Sequence, residues 1–329
     1  MDTTGYRKKE YKLSMDIKSK RTLTISVSVI TLLSILLFLC LKNNIFEGIG
    51  QRVNNLSGSI EGCYSPNGVN ITNKKVVGSN WGGSSGITMD DGSIVLGGLD
   101  FSDRDGIKDE ETRNSIKDIG FLKSNNGWNF SKFKPKITNL DRTITTCGDP
   151  TLIKLPEDGY RMYFTDGEKG CHGKAAPLLS AYSKDGYIYS FEGEITGNQG
   201  VNLETVDFTV LYEKNSHKYY IYTRADNLDE AYVLESPDGR YFTKRFKISI
   251  PFSFQFSIID EGEYYTAYGR HIPSDYKPNS NLRYPVRATS NDGLNWQRTQ
   301  DQPNGTWTGD RTYCDTYAVL KLSDGYYFY

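Results

Sequence analysis

Hydrophobic residues along this chain fall into two regimes. From Thr22 to Leu41 the run TLTISVSVITLLSILLFLCL holds 20 residues without a charge, enough for a helix to cross a hydrocarbon core of about 30 Å. From Ile60 onward the apolar positions come instead in short stretches rich in Val, Ile, Tyr and Phe, bounded by Gly and Asp turns. That is strand composition, and helical periodicity is absent from nearly all of it.

The strand-like part repeats. Ser, any residue, Asp or Asn, then Gly recurs as SPNGVNI from Ser65, SNNGWNF from Ser124, SKDGYIY from Ser183, SPDGRYF from Ser236 and SNDGLNW from Ser290, with starts 59, 59, 53 and 54 residues apart. Each copy reads as strand, tight turn, strand. A second hairpin alternates with it, as in DPTLIKLPEDGYRMYFT from Asp149 and DTYAVLKLSDGYYFY from Asp315. Two hairpins per unit make a four-stranded antiparallel sheet, and five such units predict an all-β, five-bladed propeller. The fifth unit reaches Tyr329 after one hairpin, while a copy of the other hairpin, around Ser65, precedes the first complete unit. N- and C-terminal strands are therefore expected to share one blade and close the ring, leaving no long free edge.

Charge changes the picture at the N-terminus. Residues 1–21 hold seven Lys or Arg against three acids, while the whole chain has a net charge of −1. Basic residues before the apolar run put its N-terminal side in the cytoplasm. The expected organisation is a cytoplasmic basic tail over 1–21, a transmembrane signal anchor over 22–41, a linker over 42–55 and a propeller over 56–329. The protein is then a single-pass type II membrane protein with its propeller at the cell surface, in a periplasm or in a secretory lumen. The near-neutral balance offers no basic field for nucleic acid.

The run GDPTLIKLPEDGYRMYFT (Gly148–Thr165), with AYSKDGYIYSFE (Ala181–Glu192) and ATSNDGLNWQ (Ala288–Gln297), resembles the five-bladed propeller glycoside hydrolases of families 43 and 32. The resemblance implies that Asp149, followed by Pro150, stabilises the transition state or tunes the acid. It also implies a base or nucleophile Asp on the first blade and an acid Glu on the third. Counting back ten residues from the turn glycine, as for Asp149 and Asp315, lands on Gly82 in the first blade. The third blade has Asp207 at the matching point and Glu204 three residues earlier.

In a propeller the innermost strands begin at one end of the central channel, so Asp149, Asp207 and Asp315 are expected to converge there, with Glu204 beside them. Glycoside hydrolysis needs one carboxylic acid and one carboxylate, and several carboxyls in one mouth raise at least one pKa. The plain alternative for each Asp is a turn cap. Loops leaving the second strands at the same end carry Asp100, Arg224, Arg270 and His271, candidates for holding substrate. Arg224 and Arg270 follow matching strands and suit a carboxylate-bearing or sulfated sugar. No two His stand at metal-ligand spacing, so neither metal nor other cofactor is expected. Cys147 and Cys171 flank one hairpin at one rim and are the favoured disulfide. Cys63 and Cys314 fall at opposite ends of the closing blade and are expected to stay free.

The functional expectation is a membrane-anchored glycosidase acting on extracytoplasmic oligo- or polysaccharides. The alternative is a catalytically inactive propeller that binds glycan or protein.

Overall fold

The computed structural model describes residues 59–102, 118–140, 150–167, 176–198, 204–205, 208–224, 230–271, 284–303 and 318–329. By its contacts the chain divides into Met1–Leu56 and Ser57–Tyr329, and the description concerns the second unit. The anticipated membrane helix over 22–41 lies outside the described residues, among which no helix is long and apolar enough to cross a membrane.

Each Ser-x-Asp/Asn-Gly copy turns the third strand of a sheet into its outermost strand, and the backbone reason is the same five times. The Ser hydroxyl donates to the Asx Oδ1 at 3.0–3.2 Å, and that oxygen accepts the N–H groups two and three residues on, at 2.8–3.0 Å. The following glycines, Gly68, Gly127, Gly186, Gly239 and Gly293, take φ between +72° and +77°, a region that disfavours any side chain.

Five sheets result. Blade 1 is Trp81–Thr88, Ile94–Asp100, Asp118–Ser124 and Ser131–Phe133; blade 2 is Thr151–Lys154, Tyr160–Thr165, Ala176–Ser183 and Ile188–Glu194. Blade 3 is Phe208–Glu213, Lys218–Arg224, Glu230–Ser236 and Lys244–Ser249; blade 4 is Ser253–Asp260, Tyr265–His271, Tyr284–Ser290 and Gln297–Arg298. Blade 5 joins Val319–Leu322 and Gly325–Phe328 to Ser59–Ser65 and Thr72–Ser79, pairing Cys63 with Phe328 and Ser65 with Tyr326. The expected closure by strands from both ends of the propeller sequence is thus present.

Two features depart from the repeat. Lys136–Thr138 runs parallel to Ile188–Glu194 and adds a fifth strand to blade 2, and Thr196–Gly197 runs parallel to Tyr241–Phe242. A parallel ladder needs no turn signal in sequence, which is why the hairpin pattern misses it. Cys63, expected to stay free, is disulfide-bonded and 3% exposed, its partner lying outside the described residues.

Neighbouring blades are welded at three levels. Apolar clusters fill the interfaces in turn. Val95, Phe121 and Met162 lie between blades 1 and 2, Ile153, Tyr163 and Ile221 between 2 and 3, and Tyr222, Phe256 and Ala267 between 3 and 4. Ile259, Tyr268 and Phe328 lie between 4 and 5, and Trp81, Leu122 and Tyr329 between 5 and 1. Each fully buried large apolar side chain contributes about 1.5–3 kcal/mol, so these clusters dominate stability.

Around the axis, hydroxyls at one register position link successive inner strands. Ser85 donates to the Pro150 carbonyl at 2.8 Å and accepts from the Leu152 N–H at 2.9 Å. Thr151 donates to the Phe208 carbonyl, Thr209 to the Phe256 carbonyl, and Ser257 accepts from the Val319 N–H. Ala318 holds that register position in blade 5.

The third level is a tyrosine paired across from that hydroxyl row. Tyr163 donates to the Gly239 carbonyl of the next blade's turn at 2.9 Å, Tyr222 to Gly293 at 2.5 Å and Tyr329 to Gly127 at 2.8 Å. The Tyr268 hydroxyl lies against Gly68 without a hydrogen-bond partner among the described residues, and blade 1, with Gly97 at the position, sets Met89 against Gly186 instead. Burial pushes the Tyr163 phenol far up, so it remains a donor throughout the pH range of the folded protein.

Tyr163→Phe should leave the buried Gly239 carbonyl unpaired and cost about 1–3 kcal/mol, whereas Tyr189→Phe should cost nothing of that kind, since the buried Tyr189 hydroxyl has no hydrogen-bond partner among the described residues. Urea unfolding of both variants checks this, and equal losses would count against the weld.

Candidate functional site

Inner strands all begin at one end of the ring, which we term the mouth, and second strands end there because they run antiparallel. The Ser-x-Asp/Asn-Gly turns lie at the opposite end. Midway, the axis narrows to a cavity of about 50 Å³ edged by Ser85, Thr151, Thr209, Ser257 and Val319. That admits a few waters and is far below the roughly 300–1,000 Å³ of a ligand site. This cavity is too small to hold a glycan.

The strand registers show which candidates occupy equivalent places. Arg224 pairs with Ala231 on blade 3 and Arg270 with Pro285 on blade 4, each five residues beyond a tyrosine that pairs with a repeat Ser. The two arginines are thus at matching positions on adjacent blades, with Thr165 and Leu99 at the same position on blades 2 and 1. Arg270 is 3% exposed. One residue further along stand Asp100, Asp166 and His271.

Asp100 is buried, and its Oδ1 accepts from the Ser102 N–H at 2.9 Å, the Ser102 hydroxyl at 2.6 Å and Lys132 at 3.2 Å. Burial pushes its pKa up, but the Ser102 and Lys132 bonds outweigh burial and hold it below the ordinary 3.8. Lys132 also lies over the Trp81 ring, 5.6 Å from its centroid.

Asp166 is the residue the sequence pattern undervalues. It is fully buried, its N–H donates to the Pro177 carbonyl at 2.9 Å, and Pro177 pairs in turn with Glu204 on the short strand Glu204–Thr205. Asp166, Pro177 and Glu204 therefore form one cross-strand row, and two strand spacings put the Cα atoms of the two acids about 9–10 Å apart. In sequence Asp166 is one of many loop acids; only the pairing of Ala176–Ser183 with both neighbours reveals the row.

Asp149, Asp207, Asp315, Cys147 and Cys171 lie outside the described residues, as do the side chains of Glu204 and Arg224. The hydroxyl row still fixes a count. Asp149 and Asp207 stand two residues before Thr151 and Thr209, whereas Asp315 stands three before Ala318. The first blade has Gly83 two residues before Ser85, so it offers glycine whether counted from the turn or from the axis.

Solved structures with the same architecture are enzymes. An exo-β-1,3-galactanase from Phanerochaete chrysosporium, a Glu-to-Gln variant holding β-1,3-galactotriose, matches with a TM-score of 0.54 at 14% identity, over 81% of this chain and 59% of that one. The chain thus spans less than two thirds of that galactanase. A GH43 β-1,3-galactosidase with galactodeoxynojirimycin matches with 0.52 at 13% identity, over 74% and 82%. An α-L-arabinofuranosidase from Clostridium thermocellum matches with 0.51 at 12% identity, over 74% and 80%. The fold is that of the GH43 five-bladed propellers. No family model and no curated protein matches the chain.

Asp100→Asn should destabilise the propeller by on the order of 1 kcal/mol at pH 7. A depressed carboxyl stabilises above its unfolded pKa, so the gap between variant and wild type should close as pH falls below 3.8. Denaturation at pH 7 and pH 3 checks this, and a gap unchanged at pH 3 would contradict it.

Proposed function

We propose that this protein is a membrane-anchored glycosidase acting on extracytoplasmic glycans at the mouth of its propeller. What supports the reading is the coincidence of a GH43-type ring with acids that the sequence count sets two residues before the axial Thr151 and Thr209 of blades 2 and 3. Asp149 and Asp207 share one register count from the axis, and Glu204 lies three residues before Asp207. In this reading Glu204 protonates the leaving oxygen, Asp149 tunes it, and Asp207 or Asp315 supplies the second carboxylate. Arg224, Arg270, His271 and Asp100 line the substrate side. Three structural neighbours act on galactans, galactosides or arabinofuranosides, so β-1,3-linked galactose and terminal arabinofuranose head the list of substrates to try. The uncharged run 22–41, with basic residues before it, supports an anchor with the propeller outside the cytoplasm.

A second reading has its own support. With glycine at the first-blade position, the ring lacks the carboxylate that the resemblance assigns as base, which favours a propeller that binds glycan without cleaving it.

Turnover of aryl β-galactosides, aryl α-arabinofuranosides and β-1,3-galactan by the purified chain separates the two. The enzyme reading expects Asp149→Ala and Glu204→Gln each to lose at least about 10²-fold in kcat. Binding of these glycans with no turnover by the wild type would overturn it in favour of the binder.

A further inference from the structure

The sixth residue of every Ser-x-Asp/Asn-Gly copy is exposed: Asn70, Asn129, Ile188, Tyr241 and Asn295. In each copy its N–H is held by the Asx oxygen of the turn, so the backbone there is fixed while the side chain stands outside. In the adjacent blades 5 and 1 that residue opens an Asn-x-Ser/Thr sequence, Asn70-Ile71-Thr72 and Asn129-Phe130-Ser131. Such a sequence on an exposed turn is an acceptor for N-linked sugar. In blade 4 Asn295 is followed by Trp296 and Gln297 instead, and its Nδ2 donates to Asp292 Oδ2 at 2.6 Å. Among the described residues Asn129 is bonded through its oxygen, which accepts from Lys75 Nζ at 2.9 Å, and not through Nδ2. We propose that Asn70 and Asn129 carry N-linked oligosaccharides, which shield the outer edge of the closing blade.

This rests on the extracytoplasmic placement proposed above, narrowed to a secretory lumen. There the transfer bonds Nδ2 to the anomeric carbon of an oligosaccharide and breaks that carbon's bond to a polyprenyl diphosphate, which leaves as the Nδ2 proton is lost. The edges of the ring explain why these two turns carry the sequence. The outermost strand has three residues in blade 1 and two in blade 4, and in blade 2 it is covered by Lys136–Thr138. In blade 3 it carries Lys244, Arg245 and Lys247. Blade 5 presents eight residues, Thr72–Ser79, of which Val76–Ser79 bear no charge and Val76 is 55% exposed. A long edge with exposed apolar residues is a template for pairing with another chain. Asn70 precedes this strand by two residues, and Lys75 within it is bonded to Asn129. The two glycans therefore flank the edge from blades 5 and 1, at the turn end and away from the mouth.

Occupancy is tested on the full chain synthesised with microsomes and extracted in detergent. A peptide N-glycosidase converts each occupied Asn to Asp, which mass spectrometry of the digest reads. The expected result is conversion at both 70 and 129. Asn70→Gln and Asn129→Gln should each lose one gel-mobility step, and the double variant two. Thr72→Ala and Ser131→Ala, which keep the Asn, should lose the same steps. Absence of sugar at either Asn overturns the proposal. Protease added outside the microsomes then tells the failures apart. A protected propeller counts against the glycans alone, and a digested one also removes the placement on which they rest.

Shielding is tested by size-exclusion chromatography of the same chain before and after deglycosylation. The deglycosylated wild type should move to larger species, while deglycosylated Val76→Lys, with a charge set into the edge, should stay in the original peak. No shift on removal of the sugars, or a shift that Val76→Lys leaves unchanged, overturns the shield. Neither readout depends on turnover of any glycan.

Discussion

Everything else in this propeller depends on the contact between a turn glycine and the blade before it. The glycine is there because the turn needs φ near +75°, and at three of the five turns its missing side chain lets a tyrosine of the neighbouring blade close onto its carbonyl. At Gly239 an added Cβ would lie 2.6 Å from both the Tyr163 hydroxyl and the Arg161 guanidinium, and at Gly293 2.9 Å from the Tyr222 hydroxyl. A side chain there would strain the turn and pry two blades apart at once. The apolar clusters supply most of the energy, but dispersion and burial are indifferent to register. The directed bonds set how each sheet is rotated against the next.

The two polar rings complement each other. The tyrosine bonds are missing at blade 1, where Gly97 stands, and at blade 4, where the Tyr268 hydroxyl has no partner among the described residues; there Ser85 makes two bonds to blade 2 and Ser257 accepts from the Val319 N–H of blade 5. The hydroxyl row is broken at blade 5, where Ala318 stands, and there Tyr329 reaches Gly127 on blade 1. The seam at which strands from the two ends of the propeller sequence meet is thus bonded across to blade 1.

Much of this was legible before any coordinates. The five Ser-x-Asp/Asn-Gly turns carried the blade number, since their spacing is local chemistry repeated at fixed intervals, and the position of Ser65 announced the shared closing blade. The parallel strands Lys136–Thr138 and Thr196–Gly197 were not legible, because they follow a neighbour's edge and need no turn residue of their own. Cys63 was misjudged because strand topology gives a height within a blade and not the path of the chain beyond it. Asp166 reads in sequence as one acid among several in the mouth-end loops, because its place in a cross-strand row with Glu204 is revealed only by register. Asp100, a loop candidate for holding substrate, has its Oδ1 engaged by Ser102 and Lys132, contacts that no sequence pattern signals.

For the site itself, the frame brings Asp149 and Asp207 to the same count on adjacent blades and sets Glu204 one strand from Pro177. A crystal structure of the propeller at the pH of maximal activity measures the separations between these carboxyl groups directly. The glycosidase mechanism requires at least one pair among Asp149, Asp207, Glu204 and Asp315 at about 5–9.5 Å across the mouth. Separations all beyond that range, with the carboxyls turned into caps of their own loops, would contradict it.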